Sequence, residues 1–97
     1  MATYVILSKF TDQGIKAVKG SPARTEANAR AIEAAGGKLL GTYYLMGEYD
    51  LLTIAEGPND EVAMALALGT GMAGNVRTTT LRAFTKEQFV EILSKLP

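Results

Sequence analysis

Residues 38–56, KLLGTYYLMGEYDLLTIAE, decide the fold. Lys38 to Met46 and Tyr49 to Glu56 are rich in leucine, aromatic and β-branched residues, and Gly47-Glu48 lies between them. Glycine at the first of two central positions is what a type II′ turn prefers, because the twist of that turn matches the strands it joins. The stretch is therefore read as a β-hairpin with Met46 opposite Tyr49 and Leu45 opposite Asp50.

Upstream, Thr3 to Phe10 is β-branched and aromatic and reads as a first strand, bounded by Thr11-Asp12. A helix follows, capped by Thr11 or Asp12, with Ile15 and Val18 on its apolar edge, until Gly20-Ser21-Pro22 interrupts it. Ser21 is the expected N-cap of a restarted helix with Pro22 at its first position, running through Arg24 to Ala35. Gly36-Gly37 ends it by supplying the left-handed conformation that helix termini favour. Downstream, Pro58-Asn59-Asp60 opens a helix that continues through EVAMALAL to about Gly69, and Val76 to Phe84 reads as a fourth strand. Thr85 and Gln88 have the spacing of a capping box before a last helix carrying Phe89, Ile92, Leu93 and Leu96.

The order β-α-β-β-α-β plus a terminal helix predicts an α+β, ferredoxin-like domain spanning residues 1–97, with a four-stranded antiparallel sheet in the order 4-1-3-2. Both main helices would cover one face, and the other would alternate to polar if it met water. It does not: Tyr4, Ile6 and Phe10 oppose Val5 and Leu7, and Leu52 and Ile54 oppose Leu51 and Ala55. A second copy packed sheet against sheet is the simplest cover, so a homodimer closing into an α/β barrel is expected. The helix around EVAMALAL is apolar on nearly every side and suits a further assembly of dimers.

Ten basic and ten acidic residues cancel, leaving no excess charge to hold nucleic acid or an anionic membrane. With neither Cys nor His, thiolate nucleophiles, imidazole bases and the usual zinc or haem ligands are excluded. No D-x-D-x-D-G loop is present, so no metal is expected either. No apolar stretch approaches the ~20 residues of a membrane span, and the N-terminus lacks a basic region before its short apolar run. A cytoplasmic protein is the expectation.

Residues 69–74, GTGMAG, satisfy G-x-G-x-x-G, but a dinucleotide site needs a strand before the glycines and a helix N-terminus after them. Here a helix precedes and a strand follows. A flexible connector from about Gly69 to Asn75 is expected, and no cofactor. In this topology Lys9–Gly14, Met46–Asp50 and Gly69–Asn75 meet at one edge of the sheet and would form the rim of a pocket.

Asp50 draws attention because aspartate is disfavoured inside strands. Two roles are open to it: accepting backbone N–H groups so that the hairpin is pinned to the approach of Gly74-Asn75, or serving as a general base or ligand anchor. Tyr43 lies diagonally across on the same face, and Arg77, on the opposite parity from Arg82, is near enough to the same edge to be a partner. Asp50, Tyr43 and Arg77 are thus the candidate catalytic residues, and Tyr43, Tyr49, Asp50, Asn75 and Arg77 the candidate ligand contacts.

The hairpin Met46-Gly47-Glu48-Tyr49-Asp50-Leu51 and the run Gly74-Asn75-Val76-Arg77-Thr78-Thr79-Thr80-Leu81 resemble the GYD domain family, named for its Gly-x-Tyr-Asp motif. The resemblance covers about the whole chain, including Gly14, Ser21-Pro22 and Glu56-Gly57-Pro58-Asn59-Asp60. It implies a dimeric α/β barrel and a function largely uncharacterised. More loosely, the hairpin is similar to the amino-acid-binding domain of leucine-responsive-type regulators, without their DNA-binding helix-turn-helix. Two functions follow. One is a homo-oligomeric small-ligand-binding or accessory protein without a catalytic centre, favoured because no acid–base pair is visible. The other is a cofactor-independent isomerase or small oxygenase with Asp50 as base, Tyr43 or Tyr49 as proton relay and Arg77 as anion stabiliser.

Overall fold

Because strands of alternating pattern are interrupted by two helical segments, the chain builds one sheet with its helices on one side. The computed structural model describes residues 1–97. Its elements are β1 (Ala2–Phe10), α1 (Asp12–Lys16), a 3-10 turn (Val18–Gly20), α2 (Ser21–Ala34), β2 (Lys38–Tyr44), β3 (Leu51–Gly57), α3 (Asp60–Met72), β4 (Val76–Ala83) and α4 (Lys86–Leu93). The antiparallel sheet has the order β2-β3-β1-β4, the ferredoxin-like arrangement anticipated from the sequence. No helix is long and apolar enough to cross a membrane.

Tyr43 pairs with Leu52 and Tyr44 with Leu51, the register that a Gly47-Glu48 turn imposes. The strands nevertheless end at Tyr44 and Leu51, short of the expected Met46 and Tyr49. Beyond them Leu45 N–H donates to the Asp50 carbonyl at 2.8 Å, and Met46 is fully exposed. Gly47 adopts the positive φ of 114° that the turn needs. A bulge between Leu39 and Gly41 leaves the large side chain of Leu40 exposed.

Capping follows the sequence at three helices and departs from it at one. The Thr11 hydroxyl accepts from Gly14 N–H, Asn59 accepts from Val62 N–H, and Thr85 and Gln88 make the reciprocal bonds of a capping box. Ser21, in contrast, is not an N-cap. The 3-10 turn runs straight into α2, so Ser21 N–H already donates to the Val18 carbonyl and the residue is helical. Its buried hydroxyl bonds the Tyr44 hydroxyl instead, at 3.0 Å.

The GTGMAG stretch also differs from expectation. α3 continues through Met72, with Ala73 N–H donating to Gly69 and the Thr70 hydroxyl to Leu66, so most of the glycine-rich run is helical. Hydrogen bonding within the helix outweighs the low helix propensity of glycine. The chain leaves the helix at Gly74, φ 84°, and only Ala73 to Asn75 connect it to β4.

Where α1 meets that connector the backbones nearly touch. A Cβ at Gly14 would lie 1.9 Å from the Asn75 carbonyl oxygen, which leaves no room for any side chain. Gly14→Ala should therefore destabilise the fold by about 3 kcal/mol or more, the upper end for overpacking, as measured by urea denaturation.

Candidate functional site

The edge where β1 ends gathers all three expected connections. Phe10 N–H donates to Asp50 Oδ2 at 2.8 Å, while Asp50 N–H donates to the Ser8 carbonyl at 2.8 Å. Thr11 N–H reaches the Asn75 carbonyl at 3.1 Å, and its hydroxyl donates to the Gly74 carbonyl at 2.6 Å. Gln13 Nε2 donates to both the Ala73 carbonyl and Asn75 Oδ1 at 3.1 Å. Lys9 pairs with Glu48 at 3.3 Å and sits 5.1 Å from the centre of the Tyr49 ring.

Asp50 thus uses its carboxylate to extend the β1–β3 ladder past its last regular pair. Among the other sequence-selected residues, Tyr49 and Asn75 join this edge but Tyr43 and Arg77 do not reach it. Tyr43 lies across Gly41 on the open sheet face, 57% exposed. Arg77 has no carboxylate within ion-pair distance, and its guanidinium approaches Gly71 in the last turn of α3. β4 is an edge strand, so its long side chains are free to curl around the sheet.

A cavity of about 470 Å³ lies elsewhere, between the sheet and helices α2 and α3. Its sheet wall is formed by Tyr4, Ile6 and Ser8 of β1, Leu51, Thr53 and Ala55 of β3, and Val76, Thr78 and Thr80 of β4. α2 contributes Ser21, Arg24, Asn28 and Ile32, and α3 contributes small residues such as Ala63 and Gly69. Of the residues selected from the sequence, Asn75 alone borders this space. The signal that could have found it is strand parity: Ser8, Thr53, Thr78 and Thr80 place hydroxyls on the helix-covered face, where a fully packed core has little use for them.

At the far end of the sheet, the Tyr4 hydroxyl donates to Asp60 Oδ1 at 2.5 Å, and Arg82 lies 3.7 Å from the same oxygen. Arg82 also stacks near the Tyr4 and Phe84 rings, 5.9 and 5.0 Å from their centres. The bond to Asp60 raises the Tyr4 pKa above its ordinary 10.0, burial and the carboxylate charge add to this, and Arg82 opposes it. No group of three or more acidic side chains gathers to hold a metal ion.

Two outcomes check these assignments. Asp50→Ala leaves Phe10 N–H without its acceptor and should cost about 2 kcal/mol in chemical denaturation. In an alkaline titration followed by tyrosinate absorbance, Tyr4 should ionise above 10.0, a phase absent from Tyr4→Phe. The folded chain holds this proton more tightly than the unfolded chain, so the associated stability is complete below 10.0 and is lost as pH rises through the shifted value.

Comparison with known proteins agrees with the fold and with the resemblance in the motifs. The family model for the GYD domain matches residues 4–93. A curated relative, the glutamine synthetase and cystathionine beta-lyase binding protein of Thermus thermophilus, is 29% identical over 84 residues, covering 86% of this chain and 88% of its own. A crystal structure of a protein from Thermus thermophilus superposes with a TM-score of 0.55 at 23% identity, over 88% of this chain and 95% of that one, and speaks to the fold alone. The chain is a member of the GYD domain family.

Proposed function

We propose that this GYD protein is a cytoplasmic, homo-oligomeric accessory protein without a catalytic centre, which holds a small ligand and acts by association. The observation that carries this reading is the 470 Å³ cavity, a size suited to a small molecule and bordered mainly by apolar atoms and hydroxyls. Asp50 supports it from the other side: its carboxylate accepts from Phe10 N–H at the rim and does not border the cavity.

Association rests on the surface left uncovered. A compact monomer of this mass exposes roughly 5,400 Å², whereas this chain exposes 6620 Å² with nine residues of 97 buried. The excess sits in two places. The sheet face opposite α2 and α3 presents Val5, Leu7, Leu52, Ile54 and Leu81, with no helix of the same chain over it. α4 stands apart from the other elements, with Phe89, Val90, Ile92 and Leu93 exposed, in a molecule 52 Å long. Both surfaces are met at once by a second copy placed sheet to sheet. The exposed stripe Met64, Leu68 and Met72 on α3 suits a further contact, either between dimers or with another protein. The relative named for binding two enzymes makes the second of these concrete in kind.

Light scattering and native mass spectrometry of the purified chain should give at least twice the 10.3 kDa subunit mass at micromolar concentration. Ile54→Asp on the open face should reduce it to a monomer that keeps its far-ultraviolet circular dichroism. A stable monomer of the unaltered chain would sink the proposal.

A further inference from the structure

We infer that the cavity between the sheet and helices α2 and α3 takes an uncharged molecule with an apolar body, whose hydroxyl or carbonyl oxygen bonds the side chains of Ser8 and Thr53. This rests on the cavity being a ligand site, as proposed above, and adds the chemical class of the ligand.

Charge is what the cavity withholds. Arg24 and Glu56 are the charged residues along its border, and neither turns its charge inward. Glu56 pairs with Thr3 and Lys38 on the strand parity of Leu52 and Ile54, so its carboxylate belongs to the open face of the sheet. The Arg24 guanidinium is directed back along the chain. Its Nη1 donates to the Ala17 carbonyl at 3.0 Å and lies beside Gly20, and neither of those residues borders the cavity. An ion placed here would give up its hydration without meeting an opposite charge, so the site selects against it.

Hydrogen-bonding capacity is what the cavity offers. Several hydroxyls around it are already spent: Ser21 on Tyr44, Thr25 on the Pro22 carbonyl and Thr70 on the Leu66 carbonyl. Ser8 and Thr53 have no such partner in the chain, although the residues are only 6% and 7% exposed. Their oxygens are not sealed in either, because the one partnerless side-chain nitrogen or oxygen without accessible surface is Arg24 Nη2. Both residues line the cavity from the strand parity that faces the helices, so that remaining surface opens into it.

The sheet register brings the two together. Ile6 stands opposite Thr53 on one side and Thr80 on the other, and Ser8 stands opposite Thr78. Ser8 and Thr53 are thus diagonal neighbours, roughly 7–8 Å apart along the backbone and closer at their side chains. One ligand oxygen about 2.8 Å from each hydroxyl bridges that spacing. A hydroxyl both donates and accepts, so the pair serves an alcohol, a phenol or a carbonyl. Around this polar patch the walls are apolar, with Ile6, Ile32, Ala55, Val62 and Leu66 to enclose a hydrocarbon body.

2-Naphthol, naphthalene and 2-naphthoate test the assignment by fluorescence titration of the full chain at neutral pH, where the first two are uncharged and the third is an anion. Naphthol should bind about tenfold or more tightly than naphthoate, since the anion meets no counter-charge. Ser8→Ala combined with Thr53→Val should lower the ratio of naphthol to naphthalene affinity by about fivefold, the effect of a lost hydrogen bond between neutral groups. An unchanged ratio would overturn the assignment of the hydroxyls. Naphthoate binding as tightly as naphthol to the unaltered chain would overturn the uncharged class and leave the cavity reading standing. Failure of all three compounds to bind would overturn both. The comparison of naphthol with naphthoate uses the unaltered chain and decides the class even if the double variant does not fold.

Discussion

The close approach of α1 to the connector before β4 is the constraint on which the rest of the structure depends. Gly14 lets the Asn75 carbonyl enter the space a side chain would occupy, and Thr11 ties the same connector down with its backbone N–H and its hydroxyl. One residue earlier, Phe10 N–H is held by Asp50. The end of β1 is thereby joined to the hairpin on one side and to β4 on the other. These bonds link residues as far apart in sequence as Thr11 and Gly74, so they align the sheet's edge by closing long loops.

The helix layer is assembled on different terms. Ile32 is its one buried large side chain, and α3 lines the gap with Ala63, Ala65, Ala67 and Gly69 beside Val62 and Leu66, so that the smaller of these leave volume unfilled. The cavity is the consequence. An edge rigid in hydrogen bonds and an interior open in volume place the polar rim and the binding space at different depths, which is why Tyr49 and Asp50 belong to the rim and do not border the cavity. Asn75 is common to both.

How far the fold was legible in the sequence is seen in particular residues. Gly47-Glu48 set the hairpin register because a two-residue turn admits few pairings, and the pairs Tyr43–Leu52 and Tyr44–Leu51 follow from it. Thr85 and Gln88 declared their helix start through a local reciprocal pattern. Ser21 misled because capping depends on whether the helix start is free, and the preceding 3-10 turn had already satisfied it. Gly69 misled in the opposite sense, since its low helix propensity was outweighed by the bonds of the surrounding turns.

By itself the sequence determined the order of elements, the register of the hairpin and the presence of apolar residues on both sheet faces, because these follow from periodicity and turn chemistry over a few neighbouring residues. Tertiary structure decided where Asp50 directs its carboxylate, that the Gly-rich run is mostly helix, and that a cavity separates the sheet from α2 and α3. Each of those depends on atoms brought together from distant parts of the chain, and the burial and pairing of a polar group are set by everything around it rather than by its own segment.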